Sequence, residues 1–367
     1  MANYGLAEIA LRAVCPTNRL IRDNAGDGIE IPGAYVEIAA QPLSTLLTNG
    51  DGSIHPAFLI NGVQKNSVFI GKFQGVANGS RIYSLAGEDP RANINLDTYE
   101  RYCKNKGPGH HCITWAEWAY LALWCKKNNC QPYGNNFYGK DSRETEYLAI
   151  PSMARDNNGK IQRVATGTGP LTWSHNRQVD GIWDLNGNVW EWIAGIRLVK
   201  GELQFIPYNN AADPECDTSA GSGEWKAINA NATSYNDLWL NPNGQGTTGN
   251  SVKLDYTGGH WQWAKSITSQ EDNSRNEAFA ATTSSGLNAF PKLFLQAAAL
   301  LPEDGDTDYE GDTFYANNGA DERCAYRGGQ WNGGANFGVF ALYFGDPRSN
   351  SNANVGGRPA FVELETA

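Results

Sequence analysis

The segment Gly181 to Trp192, GIWDLNGNVWEW, constrains this chain more than any other. It sets Trp183, Trp190 and Trp192 around a turn at Asn186-Gly187. Indole side chains need a core to enter, and Asn-Gly is a dipeptide that turns a chain tightly. Trp183, Val189 and Trp192 are therefore expected to fill a core, with Asp184, Asn186 and Asn188 holding the turn through side-chain-to-backbone hydrogen bonds. Composition agrees with many turns and short strands plugged by aromatics rather than with a helical protein. The 367 residues include 41 Gly, 37 Asn and 12 Trp, but only 19% are charged.

Lys+Arg 29 against Asp+Glu 39 gives a net charge of −10, so there is no basic footprint and nucleic acid is not expected as a partner. No apolar run approaches the ~18 residues of a spanning helix, and membrane insertion is not expected. The opening MANYGLAEIALRAVCP lacks the basic and apolar regions of a secretory signal, so no signal peptide is read. Seven cysteines, an odd number, point to mostly reduced thiols rather than a disulfide framework.

Two domains are expected, a small N-terminal β module over 1–66 and a larger domain over 67–367. In the first, RLIRD, GIEIPG and AYVEIAA read as short β runs. The second opens with two β runs around Asn78-Gly79. A helix follows from Asn95 with Leu96, Tyr99 and Cys103 on one face, closed by Gly107. Thr114-Trp115-Ala116-Glu117 is a capping box, predicting a second helix to about Lys127. Both helices are expected to be amphipathic and to lie against a sheet. Residues 199–322 read as a long insertion of loops and short strands, with one helix where Pro291 occupies the first turn of KLFLQAAALL.

Chemistry-bearing clusters are few. Cys103, His110, His111, Cys112, Cys125 and Cys130 fall within 28 positions, but C-x6-H-H-C-x12-C-x4-C matches no zinc knuckle, and core thiols are the better reading. There is no G-x-S-x-G elbow, no phosphate-binding loop and no H-E-x-x-H.

The Gly181 to Trp192 segment resembles the G-x-x-D-x-x-G-N-V-W-E-W signature of the formylglycine-generating, or sulfatase-modifying, branch of the C-type lectin fold. Thr114 to Trp118, Tyr133-Gly134-Asn135, Arg327-Gly328-Gly329 and Arg358-Pro359-Ala360 resemble further marks of that branch. The resemblance covers roughly 67–198 and 323–362. It implies an α+β fold of C-type lectin type, carrying a large insertion and preceded by the small β module. It also implies that oxygens of Asp184, Asn186, Asn188 and Glu191 hold Ca²⁺, while the residues alone are equally satisfied by a turn without metal. The enzymes of the branch carry a copper-binding cysteine pair after R-G-G-x-W, and Gln330 to Arg358 contains no cysteine. Related iron-dependent sulfoxide synthases use histidines, yet the last histidine here is His260. The sugar-binding tripeptides E-P-N, Q-P-D and W-N-D are missing as well.

Arg327 to Phe361 reads RGGQWNGGANFGVFALYFGDPRSNSNANVGGRPAF. It resembles the variable region of target proteins of diversity-generating retroelements, in the subgroup common in phages and prophages, where copying of template adenines rewrites asparagine codons. The ligand-binding positions implied are Gln330, Asn332, Gly333, Asn336, Phe337, Tyr343, Gly345, Asp346, Asn350, Asn352 and Asn354. Gln330 is awkward, since adenine changes in an AAC codon cannot produce glutamine. Between these positions Val339, Phe340, Ala341 and Leu342 form a run that can be buried, while Arg348 and Arg358 can tie loops by fork-shaped hydrogen bonding. Exposed positions of this kind are expected to change at little cost, within about ±0.5 kcal/mol each. The function implied is non-catalytic binding of a surface protein or glycan of a host cell, with the chain on a phage tail tip, virion or cell surface. The resemblance leaves room for a homo-oligomer. The rival readings are an oxidoreductase of the formylglycine-generating type and a purely structural virion protein.

Overall fold

The computed structural model describes residues 4–146 and 149–364. Its architecture is α+β: two principal sheets, helices packed between and beside them, and one main core running through both. The first sheet is antiparallel, in the order Asn18–Arg22, Pro32–Ala39, Ser67–Gly71, Pro359–Phe361 and His110–Cys112. The C-terminal strand thus returns to sit between strands from the first third of the chain. Ser67 pairs with Ala39 across the expected boundary at 66/67, and Val36, Leu43, Trp118 and Trp192 share one core. The described residues before Ser67 are accordingly part of the same packed body.

The second sheet is built on Trp190–Val199, which pairs with Glu202–Phe205 on one side and Arg323–Arg327 on the other. Leu342–Asp346 adds to Arg323–Arg327, and Thr313–Ala316 adds parallel to Leu342–Asp346. The insertion is therefore more than loops. Its strands Lys253–Thr257 and His260–Ala264 extend one edge, and Thr313–Ala316 with Arg275–Ala278 extend the other, beside the C-terminal stretch.

The helices form where local chemistry starts them. α1 spans Tyr4–Val14, a helix in a region read as wholly β, with Ile9 and Val14 68% and 71% exposed. Helix α2, Leu96–Lys104, opens on Asn95, whose side chain accepts from Thr98 N, and buries Leu96, Tyr99 and Cys103 as expected. Helix α3, Trp115–Lys127, has the full capping box: Thr114 Oγ accepts from Glu117 N, and Glu117 Oε2 accepts from Thr114 N. It is not amphipathic as expected. Ten of its thirteen residues are buried, Glu117 included, because it lies between the sheets rather than on them. Helix α4, Ala289–Ala297, carries Pro291 in its first turn. No helix among the described residues is long and apolar enough to cross a membrane.

Candidate functional site

The signature turn is the hub of the scaffold. Trp192 enters the main core, Trp183 a satellite cluster with Phe73, Val164 and Trp173, and Val189 a third with Trp331. Asp184, Gly187 and Asn188 all take positive φ, at 63°, 78° and 64°. A Cβ on Gly134 would lie 1.7 Å from Asn186 O, and one on Gly187 2.2 Å from Asn135 O. Only glycines let the Tyr133-Gly134-Asn135 turn and the Asn186-Gly187-Asn188 turn touch backbone to backbone.

The polar side chains of this hub bind neighbouring loops rather than their own turn. Asp184 Oδ2 accepts from Gly167 N at 2.8 Å, and Asn186 Nδ2 donates to Pro132 O at 3.0 Å. Asn188 accepts from Val164 N at 2.9 Å and donates to Gln74 Oε1 at 2.9 Å. Glu191 accepts from Arg358 with both oxygens, at 3.0 and 2.7 Å, and from Gln74 Nε2 at 3.1 Å. Calcium needs several oxygens free to converge on it. Only Asp184 Oδ1 among these carboxylate and amide oxygens is buried without a partner, and burial lifts that carboxyl to about 6. The four residues do not form the calcium set that the resemblance implied. Among the described residues no group of three or more His, Cys, Asp or Glu is placed to hold a metal ion. The Cys/His run is dispersed likewise, with His111 bonded to Gly109 O and Glu117 and Cys112 directed at Trp192 O.

The C-terminal stretch divides as its pattern predicts. All eleven positions from Gln330 to Asn354 named above are exposed or half-buried, while Trp331, Val339, Phe340, Ala341, Leu342 and Phe344 between them are buried. Seven of the eleven are also linked by hydrogen bonds or shared ring contacts. Gln330 accepts from Asn354, Asn352 donates to Asn350 at 3.1 Å, and Asn350 donates to Asp346 at 2.9 Å and to the Tyr326 hydroxyl at 2.6 Å. The Tyr343 ring stacks on Tyr315 at 4.5 Å and 6° and on Tyr326 at 5.2 Å, with Trp190 5.6 Å away. Phe337 packs on the same Trp190 at 4.8 Å. Beside Phe337 a cleft of about 230 Å³ is lined by Asn136, Ser142, Arg143, Glu310 and Ala335. The result is one face with an aromatic floor and a rim of amides.

Some of these positions are less free than expected. A Cβ on Gly345 would meet the Tyr315 and Tyr343 rings at 2.7 Å, and one on Gly333 would meet Phe337 Cε2 at 1.8 Å. Neither glycine can change unless the ring beside it moves. Phe337 and Tyr343 are themselves half-buried packing partners, not side chains standing in solvent. Trp190, Tyr315 and Tyr326 complete the face although none is among the eleven positions. The T-F-Y-A alternation that buries Phe314 and leaves Tyr315 half-buried was the available signal.

The insertion braces this face through Asp312. Its Oδ2 accepts from Phe340 N at 2.7 Å, while Oδ1 is buried without a hydrogen-bond partner and faces Gly338, where a Cβ would be 2.5 Å away. Arg327 donates to Phe340 O at 3.2 Å and to Ala299 O at 2.8 Å from the other side. Burial, with Glu310 adding and the Phe340 amide and Arg143 opposing, lifts Asp312 to about 8. An unfolded aspartate ionises near ~3.9, so between about pH 4 and 8 the folded chain holds a proton the unfolded chain has released. Stability is therefore expected to fall as pH rises through that window. Relative to Asp312→Asn, the wild type should lose on the order of 2 to 4 kcal/mol between pH 5 and 8 in denaturant titrations. A pH-independent difference between the two would refute the assignment.

Among solved structures, PvdO from Pseudomonas aeruginosa is similar to this chain at 12% identity and a TM-score of 0.35, over 94% of this chain and 97% of that one. The P3c variant of the Major Tropism Determinant is similar at 10% identity and a TM-score of 0.30, over 90% of this chain and 63% of that one. Its U1 variant is similar at the same identity and TM-score, over 94% and 72%. No family model and no curated protein matches the chain.

Proposed function

We propose that this chain is a non-catalytic binding protein with a C-type lectin fold, whose C-terminal face is diversified by a retroelement. It is displayed on a phage tail tip or a cell surface and engages a surface protein or glycan of a host cell. The supporting observation is the division of Gln330 to Asn354 into a buried scaffold and one contiguous face. Aromatic rings give contact area at low entropy cost, and short amides around them adapt their hydrogen bonds to different partners. Anchored loops and a fixed buried run let exposed codons change without loss of the fold.

The experiment is to sequence the flanks of the gene. A near-copy of the segment coding for Arg327 to Phe361 is expected beside a reverse transcriptase gene, differing from it at the copy's adenines. Differences spread evenly over all four bases, or no near-copy, would overturn the retroelement reading.

The oxidoreductase reading needs a reactive thiol pair near the closing strands. Gln330 to Arg358 supplies none, and burial pushes the nearby Cys324 thiol up. A copper-supplemented assay on a cysteine-containing sulfatase peptide is expected to give no more product than heat-inactivated protein; turnover above that control would reverse the assignment.

A further inference from the structure

The C-terminal end of α3 sets two thiols side by side. Asn129 takes a φ of 51°, and two backbone hydrogen bonds span it, Asn129 N to Lys126 O at 3.1 Å and Cys130 N to Cys125 O at 3.0 Å. This pair of bonds is a Schellman cap, in which the residue in the helix's last turn packs against the second residue beyond its end. Here those two residues are Cys125 and Cys130, so two thiols occupy the place where two hydrocarbon side chains usually meet. The amide-to-carbonyl closure between the same two residues holds their Cα atoms in the ~4.4–6.8 Å range that a disulfide spans. Cys130 Sγ lies 3.7 Å from Cys125 O, and Cys125 Sγ lies 3.7 Å from His175 O.

We infer that Cys125 and Cys130 are a reactive dithiol, oxidised by a low-molecular-weight disulfide to an intramolecular disulfide across the α3 cap. The roles are unequal. Cys125 is fully buried and burial pushes its thiol up, whereas Cys130 is 8% exposed and its thiol is lowered by the hydrogen bond from Cys125, with Arg177 adding. The Cys130 thiolate attacks one sulfur of the reagent, forming a mixed disulfide and expelling one reagent thiolate. Cys125 then loses its proton and attacks the Cys130 sulfur, closing the protein disulfide and expelling the second thiolate. Two protein thiols are oxidised and one reagent disulfide is reduced to two thiols.

The location gives the bond a consequence. Cys130 opens the segment that carries Asn136 and Tyr138, and these hold the loop of the candidate face through Gly334 N to Asn136 O at 2.9 Å and Tyr138 N to Trp331 O at 2.6 Å. Oxidation cross-links the support of that loop to the central helix. The chemistry itself is independent of what the face binds.

The test is incubation of the full chain with oxidised glutathione, acid quench, alkylation under denaturing conditions and tryptic digestion without reduction. Lys126 and Lys127 lie between the two cysteines, so the peptide ending at Lys126 and the peptide starting at Asn128 separate unless a disulfide joins them. Joined peptides are expected from the wild type, with the intact chain lighter by two hydrogens, and not from Cys125→Ser or Cys130→Ser. In Cys125→Ser, Cys130 should instead carry a glutathionyl group. Burial pushes the Cys216 thiol up to about 12, so a free cysteine-containing peptide in the same tube, rather than Cys216, reports that the reagent is active. A glutathionylated control peptide beside fully alkylated Cys125 and Cys130 would overturn the proposal, as would a link from Cys130 to Cys112.

Discussion

Arg358→Met is expected to destabilise the chain by about 3 to 5 kcal/mol, the range for removing one partner of a buried ion pair. Both side chains are buried, at 0% exposure for Arg358 and Glu191. Arg358 stands one residue before the Pro359–Phe361 strand of the first sheet, and Glu191 lies on the Trp190–Val199 strand of the second. Its guanidinium also donates to Gly71 O at 2.9 Å and Trp183 O at 2.8 Å. One side chain therefore joins both sheets and the signature turn. Removing it strands the Glu191 charge, which burial already holds above the usual carboxylate range, and leaves two carbonyls unpaired. Combining Arg358→Met with Glu191→Gln should recover part of the loss, because no charge is then left buried. Urea denaturation of the four proteins in the cycle measures this. A single-substitution cost below about 1 kcal/mol, or no recovery in the double variant, would show that the pair does not carry the joint.

What was legible in the chain was local. The Asn78-Gly79 hairpin, the Asn95 cap, the Thr114–Glu117 box and the buried tryptophans of the signature each depend on residues a few positions apart, and each formed. Partners far apart in sequence were not legible. Asp184, Asn186, Asn188 and Glu191 read equally well as ion ligands or as a turn, and the decision came from Arg358, 167 residues from Glu191, and from loops at Gly167 and Val164. The Gly-, Asn- and Thr-rich insertion gave weak strand signals, because pairing such as Tyr315 with Tyr343 is decided by the partner strand. The apolar spacing of helix α3 predicts an amphipathic helix, but its remaining positions are nearly all small or apolar too, and elements on both sides bury them. The constraint on Gly333 and Gly345 is hidden from the sequence for a related reason. A glycine looks permissive in a sequence, and only the rings of Phe337, Tyr315 and Tyr343 reveal the space as filled.

Phe340→Ala is expected to cost about 3 to 5 kcal/mol while leaving binding by the folded fraction unchanged. The ring is 1% exposed and packs on Tyr309 at 4.9 Å and Phe279 at 5.3 Å, two residues of the insertion. Its loss opens a cavity where the C-terminal stretch packs on the insertion. The opposite response is expected when Asn332, Asn336 and Asn352, all exposed, are replaced together by serine, tyrosine and aspartate. Stability should move within about ±0.5 kcal/mol per site, whereas the binding profile over a panel of host-cell surfaces should change. Tyr343→Asn belongs between these cases. It removes a stacked pair worth about 0.5 to 1.5 kcal/mol and also an anchor of the face, so both readouts should shift. Melting curves and binding profiles taken on the same preparations separate the three outcomes. An unfolded triple variant would show that these positions belong to the scaffold. An unaltered profile in the triple and Tyr343 variants together would favour a structural virion protein, whose asparagine-rich end serves packing rather than recognition.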